Sequence, residues 1–487
     1  MSLLPKINWK IIFQILGFLL IIEGVFMFLG IPFSLYYCSN KCFSLLYSGI
    51  ITTISGFVIW FLTRRAQRQI GKREGYIIVS ASWVVISLFG TIPYLLSGAI
   101  PNFTDAFFET ISGFTTTGAS ILTDIESVPK GILFWRSVTH WIGGMGIIVL
   151  SVAILPLLGI GGMQLFVAEM PGITPDKLHP RITYTAKRLW LIYVLLTMAQ
   201  TGFLMIGGMD LFDSICHAFA TMATGGFSTQ NASAANFSPY IQYVIIVFMI
   251  LAGTNFTLHY FALHGNIKAV WRNEEYRTYI RFTFIFAIII TLLLIFVGYQ
   301  GGIEKTFRDS LFQVVSIVTT TGFVSSDYLL WPSHIWIFLF LLMFIGGSAG
   351  STGGGMKIAR QIILIKSSAL EFKKMIHPRA VIPLRFNGKR VSPEIIHLVM
   401  SFFLLYLLSF FFGTLVMTFL GLDFESAVGA TIASLGNIGP GIGDVGPVEN
   451  YSWLPTPGKW FLSFLMLLGR LELFTVLIIF TPAFWRK

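Results

Sequence analysis

Four stretches of the chain decide its reading: Asp105-AFFETISGFTTTGAS, Asp213-SICHAFATMATGGFS, Asp309-SLFQVVSIVTTTGFV and Glu425-SAVGATIASLGNIGPG. Each begins with an acid, continues as a short helix-compatible run and ends in small, polar, glycine-bearing residues. The glycines that align are Gly118, Gly225, Gly322 and Gly439, spaced by 107, 97 and 117 residues, with the acid 12 to 14 residues before each. A period near a hundred is too long for a solenoid. It is the length of one membrane span, one re-entrant loop and a second span.

The flanking sequence supplies those spans. Apolar runs long enough to cross a bilayer lie near 11–30, 43–62, 77–100, 132–158, 189–208, 241–263, 280–299, 334–366, 395–420 and 459–483. The first follows Lys6 and Lys10 but lacks a small-x-small cleavage site, so it reads as an anchor helix, not a signal peptide. The composition agrees. Of 487 residues 11% are charged and 55% hydrophobic, with 47 Phe, and the mean hydropathy is +0.77. Soluble domains carry charge on about a quarter of their residues, so a soluble enzyme is excluded, as is disorder. Long continuous runs also exclude a transmembrane barrel. The expected fold is an all-α polytopic membrane protein. Four pseudo-symmetric span–re-entrant pore loop–span repeats surround one central pore, preceded by two extra N-terminal spans. The expected divisions are 1–70 for the extra pair, then repeats at 71–175, 176–270, 271–375 and 376–487.

The net charge of +11 is topological in such a chain, since Lys and Arg gather in cytoplasmic segments. With the N-terminus inside, 26 of the 33 basic residues fall on the inner side and 13 of the 22 acids on the outer side. Both termini are therefore expected in the cytoplasm. Nucleic acid is not an expected partner; the lipid bilayer is. Cys38 and Cys42 share one short loop and could form an outer-face disulfide, while Cys216 stands alone.

Irregular backbone at membrane depth is tolerated only inside protein or along a water-filled path. Four like-oriented loops can meet on one axis and line such a path. The candidate lining residues are Thr116, Thr117 and Gly118; Ala223, Thr224 and Gly225; Thr320, Thr321 and Gly322; and Asn437, Ile438 and Gly439. Glycine relieves the limit on φ, so successive carbonyls can face the axis. A ring of carbonyl oxygens replaces the water shell of a monovalent cation. The short helix before each loop would point its negative C-terminal end at the ion, with its acid at the N-terminal end. The eighth span is broken by Gly346, Gly347, Gly350, Gly353, Gly354 and Gly355, too many glycines for a regular helix. It reads as a flexible gate below the loops; a packing kink at the inner edge is the plainer alternative. Arg470 lies about eleven residues into the last span from Lys459. An arginine at that depth faces a bundle interior or water. It reads as a positive barrier contacting carbonyls of the 346–355 loop; the alternative is an ion pair with Glu23 or Glu472.

These loops, the two-plus-eight span layout and the stretches GGSAGSTGGGMK and LGRLELFTVL resemble the Trk/Ktr/HKT superfamily of potassium transporters, most of all its Trk-type membrane subunit. The resemblance spans essentially the whole chain. It implies K+ at the loop residues named above, uptake across the bacterial cytoplasmic (inner) membrane, a homodimer, and a cytosolic nucleotide-binding regulatory ring (TrkA-like) as partner. K+ is then the transported ion, with no cofactor in this chain. The fourth repeat departs from the Thr-Gly pattern with Asn437-Ile438-Gly439-Pro440, so an asymmetric ring is expected. Passive, H+-coupled and Na+-coupled transport all remain open.

Other functions fit less well. Gly441-Ile442-Gly443-Asp444 matches the string of intramembrane aspartyl proteases, but that chemistry needs a second Asp at the same depth and the spans contain none. An alternating-access solute carrier would use inverted repeats, whereas these repeats are all the same way up. The potassium-translocating subunit of an ATP-driven pump shares the architecture but not the two leading spans with an arginine in the last. Gly355-Met356-Lys357 breaks the Gly-Lys pair of a phosphate loop, and Gly159-Ile160-Gly161-Gly162-Met163-Gln164 fails the dinucleotide pattern at its last position. Lone His140 and His259 read as structural.

Overall fold

The computed structural model describes residues 7–37, 41–66, 71–146, 182–380 and 382–486. The second half of the fourth expected span, the 159–164 stretch and Cys38 of the proposed disulfide lie outside the described residues.

Among the described residues, six helices are long and apolar enough to cross a membrane: Trp9–Tyr36, Cys42–Thr63, Arg73–Ser97, Lys187–Ile206, Glu274–Val297 and Pro393–Phe419. Cys42–Thr63, Lys187–Ile206, Glu274–Val297 and Pro393–Phe419 keep most of their apolar span unburied, as lipid-facing helices do, while Trp9–Tyr36 and Arg73–Ser97 are more than half buried; all six satisfy their backbone within the helix, as a bilayer requires. The leading pair, Trp9–Phe28 and Cys42–Thr63, packs through glycines set seven apart on each helix. A Cβ at Gly17 would lie 2.8 Å from the Gly56 oxygen, and one at Gly24 equally close to the Gly49 oxygen. Only glycine lets the two backbones approach so far.

The expected repeats are present as first span, short helix, loop and second span. The short helices are Phe103–Phe114, Leu211–Met222, Gly302–Val318 and Phe424–Leu435. The second spans differ from expectation. The sequence marks one break, at 346–355, but straight helices fail in all four. Lys130–Trp141 passes into a π turn at Ile142–Gly146. Pro239–Ala252 and Phe256–Leu263 meet at 102°, and Thr456–Arg470 meets Phe474–Phe480 at 112°. Ser333–Leu342 and Ile358–Ile376 flank the glycine-rich loop. A two-stranded hairpin, Arg385–Phe386 with Lys389–Arg390, closes the basic segment after the third break.

Candidate functional site: a ring of four re-entrant loops

Capping explains where the short helices start. Asn102 accepts from the Thr104 and Asp105 amides, Asp210 from that of Asp213, and Asp423 from that of Ser426. The expected N-terminal acids hold in three repeats: Asp105, Asp213 and Glu425 lie in the first turn. Asp309 does not. Its helix begins earlier, with Glu304 in the first turn, and Asp309 is buried mid-helix, where the Tyr299 hydroxyl donates to it at 3.1 Å.

Each helix ends the same way. A right-handed cap residue, Thr115, Ala223, Thr319 or Gly436, is followed by a residue forced into the left-handed region. Those residues are Thr116 at φ 53°, Thr224 at 54°, Thr320 at 57° and Asn437 at 53°. For Thr this conformation is uncommon and costs energy, and such residues cluster at functional sites. The next amide turns back into the helix: Thr117 to the Ser112 carbonyl, Gly225 to Ala220, Thr321 to Ser316 and Ile438 to Ala433, all at 2.8–2.9 Å. Then comes a glycine with positive φ: Gly118, Gly226, Gly322 and Gly439, at 83°, 78°, 82° and 98°.

This geometry corrects the register of the second repeat by one residue. Gly226, not Gly225, is the counterpart of the other three glycines. The matching triplet is Thr224-Gly225-Gly226, and Ala223 is the helix cap.

The four loops close on one another. A Cβ at Gly118 would lie 2.2 Å from the Gly225 oxygen, one at Gly226 2.1 Å from Thr321 O, one at Gly322 1.9 Å from Ile438 O, and one at Gly439 2.7 Å from Thr117 O. Each repeat thus sets its glycine against the carbonyl of the next, in chain order, and the fourth returns to the first. The loop residues are buried, yet no described residue donates to the carbonyls of Thr116, Thr117, Thr224, Gly225, Thr320, Thr321 or Ile438. Threonine hydroxyls support the ring from beneath, Thr115 with Thr117 and Thr319 with Thr321, both at 2.8 Å. In the fourth repeat the Asn437 amide replaces them, donating to Thr117 Oγ1 and the Met466 carbonyl at 2.9 Å. Four helix C-termini converge here, so the ring carries negative potential.

Directly below lies the glycine-rich loop. The Gly354 amide donates to Thr320 Oγ1 at 2.6 Å, and the Thr352 hydroxyl to the Met222 carbonyl at 3.0 Å. The Ser348 amide donates to the Gly253 carbonyl at 2.9 Å, and Glu275 accepts the Ala349 amide at 2.6 Å. The loop is therefore tied both to its own repeat and to the second. Lys357 turns its ammonium back on the Gly353 and Gly354 carbonyls. Arg470 donates to Thr352 O at 2.7 Å and to Gly143 O and Gly144 O at 2.6 and 3.0 Å. It thus ties the loop to the first repeat through main-chain oxygens. The alternative ion pair is not made: Glu472 pairs with Arg360 instead, and the buried Glu23 carboxylate has no hydrogen-bond partner among the described residues.

Two features lay outside the sequence reading, and a third, His140, has the structural role expected of it. Glu109 and Arg136 form a fully buried ion pair at 2.7 Å behind the ring. Lys357, counted only as an inner-side charge, sits buried in the loop. His140 stacks on Phe227 with centroids 3.9 Å apart, against Gly225. The first is foreshadowed only by the presence of two charges in otherwise apolar elements.

Re-entrant loops meeting in a closed ring between membrane-length helices, over a glycine-rich backbone loop held by a part-buried arginine, define a pore-forming membrane protein built on four repeats. Comparison with known proteins narrows the class. The family model described as TrkH, cation transport protein, matches residues 42–487. The chain is 42% identical over 485 residues to the Trk system potassium uptake protein TrkH of Escherichia coli strain K12, covering 99% of this chain and 100% of that one. It is 36% identical over 485 residues to the TrkG protein of the same strain, covering 98% and 99%. The crystal structure of the potassium transporter TrkH from Vibrio parahaemolyticus superposes with a TM-score of 0.89 at 39% identity, over 99% of this chain and 100% of that one. The chain belongs to the TrkH family of cation transport proteins.

Proposed function

We propose that this protein carries K+ into a bacterial cell across the cytoplasmic membrane, through the ring formed by Thr116–Gly118, Thr224–Gly226, Thr320–Gly322 and Asn437–Gly439. The observation that carries the reading is the closed glycine-to-carbonyl ring, whose unclaimed oxygens suit a dehydrated monovalent cation. The names of the relatives supply the ion. A carrier with inverted repeats is disfavoured by four loops that enter from one side. An ATP-driven pump subunit is disfavoured by the family match, and nothing in the ring calls for bond-making chemistry.

Below the ring, the 346–355 loop and Arg470 act as the gate. The loop blocks the exit, Arg470 holds it and opposes cations, and the glycines give it alternative backbone states. The protein works as a homodimer with both termini in the cytoplasm. A cytosolic nucleotide-binding ring docks on the basic segment 357–392, which follows the gate directly. Uptake of radioactive Rb+ by proteoliposomes, with and without a proton gradient, tests this. Uptake suppressed by external K+ is expected, and the gradient decides the coupling. Crosslinks from a co-purified regulator confined to the outer loops would refute the docking face. Absence of K+-competed uptake would refute the function.

A further inference from the structure

Nine residues before each ring glycine, the short helices place Glu109, His217, Gln313 and Ala430, all buried. In three repeats this position is polar and grips the segment leaving the ring. Glu109 accepts from the Ile121 amide at 2.8 Å and the Ser120 hydroxyl at 3.0 Å. His217 Nδ1 faces the Asp213 carbonyl, which can only accept, so Nε2 is left to accept from the Ser228 hydroxyl at 3.0 Å. Gln313 donates to Ser326 O at 3.0 Å. The fourth repeat has only Ala430 there, and two tyrosines take over. Tyr451 donates to the carbonyl of the ring glycine Gly439 at 2.7 Å, and Tyr328 to Gly441 O at 2.6 Å.

The same residues join neighbouring repeats. Arg136, clamped by Glu109, donates to Ser228 O of the second repeat at 2.9 Å. The second and third repeats join through the Ala234 amide and Val324 O at 2.9 Å. Tyr328 joins the third to the fourth, and the Tyr451 amide joins the fourth to Ser120 O of the first at 2.8 Å. All four joints are filled, so a second ring of hydrogen bonds encircles the carbonyl ring.

We propose that this outer belt sets discrimination between K+ and Na+, with Glu109, Arg136, His217, Gln313, Tyr328 and Tyr451 as positioning residues. The inference rests on the K+ reading above. Na+ is smaller, so the carbonyls must close in to coordinate it. A belt that fixes the outgoing chain resists that contraction, and a loosened belt permits it. Buried ionic groups add little net stability but can enforce one geometry, which suits Glu109 and Arg136 here.

The test uses the full chain in proteoliposomes and measures the ratio of K+ to Na+ concentrations that halve Rb+ uptake. Tyr451→Phe removes one hydroxyl and nothing else. Gln313→Leu removes one donor at similar volume. Each should lower discrimination by about five- to tenfold, the equivalent of one hydrogen bond. Gln313→His, which installs the residue the second repeat uses, should recover most of it. Unchanged ratios alongside a lower thermal midpoint would overturn the proposal, as would a His variant no better than Leu. If Gln313→Leu does not fold, Tyr451→Phe decides alone. Wild-type protein without K+-competed uptake would remove the functional reading and this proposal together. Wild-type uptake with unaltered variants would remove the belt alone.

Discussion

The carbonyl ring and the four helix breaks beneath it are built by the same repeats under opposite rules. In the ring, every repeat uses the same φ sequence, the same turn-back bond and the same glycine contact. In the breaks, no two repeats agree: a π turn, a three-residue bend at Gly253–Asn255, a loop of more than ten residues, and a bend at Leu471–Leu473. A cation needs near-equal oxygens on all sides, so the ring's symmetry is what the proposed ion site requires. Closing a path needs only one obstruction, so the breaks are free to specialise. The third became the long glycine-rich loop proposed as the gate, and the fourth supplies the arginine that donates to it.

The harshest way to break the comparison is to damage one corner of the ring. Gly322→Ala would drive a Cβ to 1.9 Å from a main-chain oxygen at a φ that disfavours it. Strain and overpacking together should reduce Rb+ uptake by about 100-fold or more. The second repeat sharpens the point. Gly226→Ala should be as damaging as Gly322→Ala, because it meets the Thr321 oxygen at 2.1 Å. Gly225→Ala should be milder, since it meets the His140 side chain at ordinary φ. Equal losses at both would contradict the corrected register.

Damage to the breaks should act in the other direction. Arg470→Ala removes donors to three carbonyls and a positive charge, and should raise uptake roughly tenfold while reducing dependence on the regulatory partner. If the protein still folds but uptake disappears, Arg470 supports the pore and does not gate it. Gly354→Ala presses a Cβ to within 2.8 Å of Asn437 Cβ and the Gly436 oxygen. A loop pushed off the ring should give a smaller increase in the same assay, and a decrease would mean that the loop holds the ring together.

The smallest expected effect is at the edge of the ring's scaffold. The Ser426 side chain, helped by its amide, holds the Asp423 carboxyl below the usual carboxylate range. A depressed folded-state value means that this contribution is fully present above the unfolded value and is lost as pH falls through the folded one. Asp423→Ala should cost about 1 kcal/mol at neutral pH. In thermal melts the difference from wild type should narrow as the pH approaches 3. A difference that stays constant with pH would remove the cap from the account.

The symmetric part of the molecule was the legible part. Four recurrences of acid, short helix and glycine expose the ring because each copy corroborates the others. The register slipped only at Thr224-Gly225-Gly226, where adjacent glycines make two alignments possible and only φ separates them. The asymmetric parts have no such corroboration. The third break is visible because six glycines mark it. The bends at Gly253–Asn255 and Leu471–Leu473 are marked only by short interruptions, Gly-Thr-Asn and Arg-Leu-Glu, in otherwise apolar runs, and Glu472 and Leu473 take positive φ where no glycine stands. Asp309 misled because its helix starts a turn or more earlier than in the other repeats. The Glu109–Arg136 pair was illegible, because residues 27 apart meet only through the folding of one repeat and each looks like an ordinary charge in a linear scan.

The most direct test of the central claim is the anomalous signal of Rb+ or Tl+ in crystals of the protein. A single-file peak is expected on the axis of Gly118, Gly226, Gly322 and Gly439, within coordination distance of the carbonyls of Thr117, Gly225, Thr321 and Ile438, and lost when Na+ replaces the heavier ion. A peak elsewhere in the protein with the ring empty, or equal occupancy in Na+, would contradict the account.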